Sequence, residues 1–374
     1  MRVVVTGGGT GGHIYPAIAV CEALRRQDPT GDLLYIGGSS GMETQIVPAH
    51  GIPFHAVTAR KMPAVLSIHT VRALAALLKG YSGAAARIRT YRPDTVVGTG
   101  GYVAAATVLA AVKFGTPALI LENNVLPGRT NLWLSRSAKK ICVSFLETMK
   151  CFPPGRCELT GMPLRNGIVA PEELTKQRAR VQFDGLSADR FTVLVIGGSQ
   201  GARAINTLIA SAAPVLIDQG VQVLHQVGPT NMDESTRAAE AAGLLDGRSG
   251  YSMRSYIDSN EMPAALRCAD IIVCRGGIST ISEATANGLP SLIVPLPTAY
   301  ADHQTANARA TEALGAALCR AESNLTGTSL AEEIVSLQMN PHRLAAMAEA
   351  SRKAGRPNAA DEVAALALGL TWNN

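Results

Sequence analysis

The sequence predicts an α/β protein of two domains, each a doubly wound, parallel sheet. Short, continuously apolar, β-branched runs alternate with amphipathic or alanine-rich segments, the pattern of strands buried on both faces with helices between them. The pattern then restarts: Val3-Val4-Val5-Thr6-Gly7-Gly8 is echoed by Val193-Leu194-Val195-Ile196-Gly197-Gly198, and each run leads into a helix start. The 374 residues are enough for two sizeable cores, at about 150 residues per domain.

Taken in order, Val3–Thr6 is a strand ending in glycines, and Pro16–Arg26 is a helix with Ile18, Val20 and Leu24 on its apolar side. Leu33–Ile36 is a buried strand closed by Gly37-Gly38, and Thr95–Gly98, Ala118–Leu121 and Lys140–Val143 repeat it. The linker is expected within Gly161–Asp189, where Pro163, Pro171 and the charged run Glu172–Arg180 interrupt the apolar pattern. Strands at Gln222–Gln226, Ile271–Cys274 and Leu292–Pro295 continue the second half.

With 47% hydrophobic and 17% charged residues, the composition is that of a folded globular chain and not a disordered one. A net charge of +5 is too modest to indicate nucleic acid, and aromatics at 4% offer few bases a stacking surface. The seven cysteines are odd in number and lack Cys-x-x-Cys spacing, so reduced, mostly buried thiols are expected and no metal site. Glycines follow Met1-Arg2-Val3-Val4-Val5 too closely for a signal peptide. No stretch of about 18 continuously apolar residues is free of charges, so no membrane span is expected. Secretion and integral insertion are not expected; contact with a membrane surface stays open.

A strand that runs through glycines into a helix offers bare backbone N–H groups and a helix dipole to an anion. Three such loops occur: Gly7-Gly8-Gly9-Thr10-Gly11-Gly12-His13, Gly98-Thr99-Gly100-Gly101-Tyr102 and Gly197-Gly198-Ser199-Gln200-Gly201-Ala202. A fourth, Arg275-Gly276-Gly277-Ile278-Ser279-Thr280, also opens a helix. Gly7-x-Gly9-x-x-Gly12 fits the dinucleotide fingerprint, but the acid that should end the second strand is missing, Asp32 being placed before it. A nicotinamide dehydrogenase is therefore disfavoured. NTP hydrolysis is disfavoured too, since no Gly-x4-Gly-Lys-Ser/Thr motif exists.

Among candidate chemical groups, His13 at the start of the first helix is either a neutral base, its pKa held down by the helix N-terminus, or a capping histidine. Glu283, six residues after Gly277, either accepts from both hydroxyls of a ribose or is a solvated helix-face carboxylate. Ser279, Thr280 and Ser282 around it are poor helix-interior choices unless their hydroxyls are used. Arg165, at the presumed boundary, either clamps a phosphate or is solvated. Asp302-His303-Gln304 is a set able to read sugar hydroxyls; as a metal pair Asp302 and His303 are weak, being adjacent with no second histidine nearby.

Between Glu43 and Asp94 there is no acidic residue, while Arg60, Lys61, Arg72, Lys79, Arg87, Arg89 and Arg92 fall there. Ile68, Val71, Leu74 and Leu78 recur at helical spacing within it. A basic amphipathic surface for anionic lipid or a pyrophosphate is favoured over a solvated face packed on the sheet.

Gly7–Gly12 with His13, Gly100-Gly101-Tyr102, Glu122-Asn123-Asn124 with Pro127-Gly128 and Thr130-Asn131, Gly161-Met162-Pro163-Leu164-Arg165, Gly197–Arg203, Cys274–Glu283 and His303-Gln304 follow one another in a familiar order. In this set the chain resembles the MurG family, bacterial glycosyltransferases of family 28 that make lipid II. The resemblance covers essentially the whole chain; the set is specific, although each motif alone is not.

The resemblance implies a GT-B fold, two Rossmann-like doubly wound domains facing a cleft. Residues 1–163 would take the acceptor and the membrane, 164–348 would bind UDP-GlcNAc, and 349–374 would pack back as a helix on the first domain. The implied reaction is inverting transfer of GlcNAc from UDP-GlcNAc to the C4 hydroxyl of MurNAc-pentapeptide-pyrophosphoryl-undecaprenol (lipid I). His13 would be the base. Arg165 and Ser199 would meet the phosphates and Ile257 would receive uracil through its backbone. Ile278, Ser279 and Thr280 would start the helix that stabilises the leaving UDP, with Ile281 and Ser282 alongside. Glu283 would hold the ribose, and Gln304 with His303 would read the GlcNAc hydroxyls. Thr10, Gly11, Gly12, Tyr102 and Asn124 would take the acceptor.

No cofactor or metal ligand is implied in the site; magnesium would at most stimulate from outside it. The implied partners are UDP-GlcNAc, lipid I, an anionic phospholipid surface and cell-wall assembly proteins, with no nucleic acid, at the cytoplasmic face of the plasma membrane. The chain departs from the family's usual His-Glu-Gln-Asn at Leu121-Glu122-Asn123-Asn124 and from its Asn-Pro at Met162-Pro163. Two alternatives compete. A UDP-GlcNAc 2-epimerase or other enzyme of the same fold with a soluble substrate would not need the basic acid-free stretch. An inactive nucleotide-sugar-binding module would not need His13.

Overall fold

The computed structural model describes residues 1–59, 68–245 and 250–370, with the backbone alone for 68–75. The chain divides into two compact units, one of residues 1–166 with 357–374 and the other of 167–356.

Unit 1 runs β1 (Arg2–Thr6), α1 (Gly11–Gln27), β2 (Asp32–Gly38), α2 (Glu43–Ala49), β3 (Phe54–Val57), α3 (Ile68–Tyr91), β4 (Thr95–Gly98), α4 (Gly101–Lys113), β5 (Ala118–Glu122), α5 (Arg129–Leu134), β6 (Lys140–Val143) and β7 (Cys157–Leu159). Its seven strands are ordered β3-β2-β1-β4-β5-β6-β7, every pair parallel. Because strand side chains alternate between faces, the apolar runs supply two cores at once. Val3, Val5, Tyr35, Val97, Leu119 and Leu121 pack on one face with Ile14, Ile18 and Leu24 of α1. Val4, Ile36, Val96, Ile120 and Ile141 pack on the other with Ala84 and Ile88 of α3 and Val103 and Val108 of α4.

Unit 2 runs α6 (Lys176–Arg180), β8 (Thr192–Ile196), α7 (Arg203–Asp218), β9 (Gln222–Gln226), α8 (Met232–Ala241), β10 (Tyr251–Arg254), α9 (Met262–Cys268), β11 (Ile271–Cys274), α10 (Ile278–Ala286), β12 (Ser291–Ile293), α11 (His303–Ala313), β13 (Ala317–Cys319), α12 (Gly327–Gln338) and α13 (Pro341–Ala354). The sheet order β10-β9-β8-β11-β12-β13 repeats the topology of unit 1, again all parallel. Val193, Val195, Val223, Ile271 and Val273 pack against Ile205, Ile209 and Leu216 of α7 and Leu330 and Ile334 of α12.

The chain returns to unit 1 as α14 (Ala359–Leu368). Ala360, Val363, Ala364, Ala367 and Leu370 join the α1 core, and Leu370 O accepts from Thr95 Oγ1 at 3.3 Å. The boundaries expected at 163/164 and 348/349 are displaced. The first passage lies at 166/167, and α13 runs unbroken through the second, so the return comes at 356/357.

Other corrections are local. The first helix starts at Gly11, five residues before Pro16. Asp32 opens β2 instead of preceding it, and still lies at the wrong end of the strand for a ribose. The strand expected to reach Pro295 ends at Ile293. Cys21, Cys142, Cys268, Cys274 and Cys319 are buried, Cys157 is half-buried and Cys151 exposed, all with free thiols. Among the described residues, no helix is long and apolar enough to cross a membrane.

Candidate active site

In an open parallel sheet, ligands bind beyond the carboxyl ends of the strands where the strand order reverses direction. In unit 1 that point lies between β1 and β4, which pair from Val3↔Thr95 to Thr6↔Gly98. In unit 2 it lies between β8 and β11, which pair from Ile271↔Val193 to Cys274↔Ile196. All four glycine loops leave these four strands, so each unit holds a facing pair of them.

In unit 1 the two loops interlock. His13 Nδ1 lies 3.0 Å from Thr99 O, and Thr99 Oγ1 donates to His13 O at 2.7 Å. A carbonyl only accepts, so Nδ1 carries the proton and the neutral ring keeps its free lone pair on Nε2. Gly100 sits at φ +116°, and a Cβ there would lie 2.5 Å from His13 Nδ1. Burial lowers the pKa of this half-buried ring, against smaller raising influences from the Thr99 hydrogen bond and Glu122. The direction is the one expected, and desolvation by burial is its largest cause.

Two carboxylates beneath these loops are outside the predicted site. Glu43, 1% exposed, accepts through Oε1 from Gly38 N–H at 3.0 Å and through Oε2 from Gly9 N–H at 3.3 Å. Tyr35 OH donates to Gly7 O at 3.0 Å, so the first loop is tied down from both sides. Glu122, also buried, accepts from Asn124 N–H at 3.0 Å, Gly128 N–H at 2.8 Å and Asn131 Nδ2 at 2.9 Å, which fixes the loop carrying Asn124. Leu121, the departure beside it, lies in the α1-side core, and Met162 is likewise buried.

Thr10 and Gly12 are exposed, and Tyr102 stands half-buried in the first turn of α4. The first hydrogen bonds of α1 run from His13 and Ile14 N–H to Thr10 O, so the Gly11 and Gly12 amides precede them and have no partner in the helix. Arg165 is half-buried at the end of unit 1.

In unit 2, Ser199 is exposed in the loop after β8. Gly201, at φ +74°, is required because a Cβ would run into Val227 O at the end of β9. The loop after β11 opens α10 with no side-chain cap. Its first bond is Ile281 N–H to Gly277 O at 3.2 Å, so the amides of Ile278, Ser279 and Thr280 are without helical partners. Ser279, Thr280, Ser282 and Glu283 are half-buried.

Ile281 has a buried side chain, and its N–H is used inside the helix. Ile278 is buried as well and can contribute only its backbone. Ile257 N–H donates to Gln226 Oε1 at 2.9 Å, and its carbonyl is not so engaged.

Gln304 Oε1 accepts from Gly276 N–H at 3.1 Å and Leu296 N–H at 3.0 Å. The oxygen is therefore fixed inward and the Nε2 donors are left for other partners. His303 Nδ1 bonds Tyr300 O at 2.7 Å. Asp302 Oδ1 accepts from Thr305 Oγ1 at 2.6 Å. Ala301 and Asp302 both have left-handed φ, +50° and +53°, so the turn presenting His303 and Gln304 is strained. Arg275 is buried and ties Val294 O, Pro295 O and Glu322 together. No group of three or more His, Cys, Asp or Glu side chains able to hold a metal gathers among the described residues.

The glycosyltransferase family 28 N-terminal domain matches residues 3–143 and the family 28 C-terminal domain matches residues 192–363. A protein of Desulforudis audaxviator named UDP-N-acetylglucosamine--N-acetylmuramyl-(pentapeptide) pyrophosphoryl-undecaprenol N-acetylglucosamine transferase is 41% identical over 97% of this chain and 96% of its own. The Bacillus subtilis protein of the same name is 36% identical over 96% and 97%. The crystal structure of Acinetobacter baumannii MurG superposes with a TM-score of 0.78 at 30% identity, covering 99% of both chains.

Proposed function

This chain belongs to glycosyltransferase family 28, and from that premise we propose that it makes lipid II. It transfers GlcNAc from UDP-GlcNAc to the C4 hydroxyl of MurNAc-pentapeptide-pyrophosphoryl-undecaprenol, with inversion. The observation that carries the reading is the His13–Thr99 hydrogen bond, which leaves a neutral imidazole with its lone pair on Nε2 among glycine loops. Nε2 takes the proton as the C4 oxygen attacks the anomeric carbon. The bond from that carbon to the diphosphate oxygen breaks, and the electron pair leaves with UDP.

The leaving charge is met by the open amides of Ile278, Ser279 and Thr280, with Ser199 and Arg165 on the phosphates. With this set no cofactor or metal ligand is required in the site. Glu283 holds the ribose, and Gln304 Nε2, beside His303, donates to GlcNAc hydroxyls. Thr10, Gly11, Gly12, Tyr102 and Asn124 take the acceptor.

The enzyme works as a peripheral protein on the cytoplasmic, anionic leaflet. Leu78 is 62% exposed and Phe114 44%, Lys79 and Lys113 are beside them in sequence, and the Arg89 guanidinium lies 5.9 Å from the Phe114 ring centre. Exposed apolar side chains with cations next to them in sequence suit a headgroup surface. Of the basic stretch, Arg60, Lys61 and the side chains of Ile68, Val71, Arg72 and Leu74 lie outside the described residues. A transfer assay with radiolabelled UDP-GlcNAc and a lipid I analogue tests the reaction. Label is expected in the lipid only when acceptor is present; conversion to UDP-ManNAc without acceptor would favour the 2-epimerase.

A further inference from the structure

We propose that Gln226 couples recognition of the nucleoside to recognition of the diphosphate in unit 2. The inference rests on the reading of unit 2 as the nucleotide-sugar site and adds a residue to it.

Gln226 ends β9 and is 1% exposed. Its Oε1 accepts from Ile257 N–H at 2.9 Å, 31 residues on. Its Nε2 donates to Gly198 O at 3.1 Å, 28 residues back. One buried amide thus spans the loop after β8, which carries Ser199, and the segment after β10, which carries Ile257. The orientation is fixed by chemistry: a flipped amide would set donor against donor at Ile257 and oxygen against oxygen at Gly198.

The neighbouring backbone leaves little slack. Gly228 N–H donates to Ser255 O at 3.0 Å and Val227 N–H to Arg254 O at 3.0 Å. Asn231 Nδ2 donates to Gln200 O at 2.9 Å and to Val227 O at 3.0 Å. The three loops after β8, β9 and β10 therefore form one hydrogen-bonded sector with Gln226 at its centre.

A pyrimidine base that uses the Ile257 N–H must take it from Gln226 Oε1. The displaced amide cannot then hold the Gly198 carbonyl unchanged. The base and the phosphates are consequently not read independently: occupancy of one loop resets the other. Gln226 is a positioning residue, since it acts through Ile257 and Gly198.

Isothermal titration of the full-length protein with uridine and with UDP tests this, using Gln226→Met, which keeps the length and loses both bonds, and Gln226→Glu, which keeps only the acceptor. The expected result is that the UDP-to-uridine affinity ratio falls at least tenfold in both variants. Uridine itself should bind Gln226→Met no more weakly than wild type, because the competitor for Ile257 N–H is gone. A ratio unchanged within twofold in folded variants would overturn the inference while leaving the donor-site reading intact. Should the variants fold poorly, the wild type answers alone. Uridine, which has no phosphate, is expected to alter amide hydrogen exchange in residues 198–202, and an unaltered loop would overturn the coupling. Absence of any UDP binding by the wild type would instead sink the donor-site reading, and this inference with it.

Discussion

A side chain that must take a proton near neutral pH needs its charged form disfavoured and its lone pair aimed outward. His13 has both: burial lowers its pKa and Thr99 O occupies Nδ1. The sign follows. A base with a depressed pKa stays competent further into acid, so transfer is expected to hold through pH 7 and to fall only on the acid side of the ordinary value of about 6.5. His13→Asn is expected to lower kcat by about 10²–10⁴-fold and to remove that acid limb; an unchanged pH–rate profile would count against the role. His13 was legible because it closes a glycine run. Glu43 and Gln226 were not, because their partners are backbone atoms 34 and 28 residues away in sequence. The burial of Ile281 was not legible either, because proximity to a motif says nothing about which way a helix turns its side chains.

The central strands were readable as elements because both of their faces are buried, which demands unbroken apolar runs. Four strands were not anticipated: Phe54–Val57, Cys157–Leu159, Tyr251–Arg254 and Ala317–Cys319, all three or four residues long. They are the outermost strands of the two sheets. An edge strand has one neighbour, so its sequence carries a weaker apolar signal. The last helix was legible from Asp361–Leu370, and its partner is α1. Val363→Asp, which buries a carboxylate among Ala17, Ile18 and their neighbours, is expected to destabilise unit 1 by at least about 3 kcal/mol. Trp133 lies in α5 of unit 1, and the sequence of unit 2, residues 167–356, contains no tryptophan. Urea titration followed by tryptophan emission therefore reports that unit, while UDP binding by unit 2 should persist below the transition.

On the scale of the whole molecule, one doubly wound topology is used twice, and the glycine loops at the two switch points differ in their surroundings. Unit 1 sets His13 among loops tied to buried carboxylates; unit 2 opens a helix N-terminus beside a glycine loop. Unit 1 also carries the exposed Leu78 and Phe114, with Lys79 next to the first in sequence and Arg89 over the ring of the second. Lys79→Glu with Arg89→Glu is expected to weaken sedimentation with anionic vesicles at least tenfold, at about 1 kcal/mol per basic residue near the surface. Binding to zwitterionic vesicles should barely change. Equal loss on both would show that charge is not what holds the protein there.

The sequence by itself determined the doubly wound class, the two halves, the central strands and the glycine loops, because continuous apolar runs and glycines at strand ends are local consequences of burial and backbone shape. It also carried the family, through motifs spread along the chain. Only the tertiary structure decided which glycine loops face each other, that Ile257 N–H is already engaged, that Glu43, Glu122, Gln226 and Arg275 hold the loops, and where the chain crosses between units. Those are matters of long-range hydrogen bonding between side chains and distant backbone, for which a linear sequence has no period and no spacing.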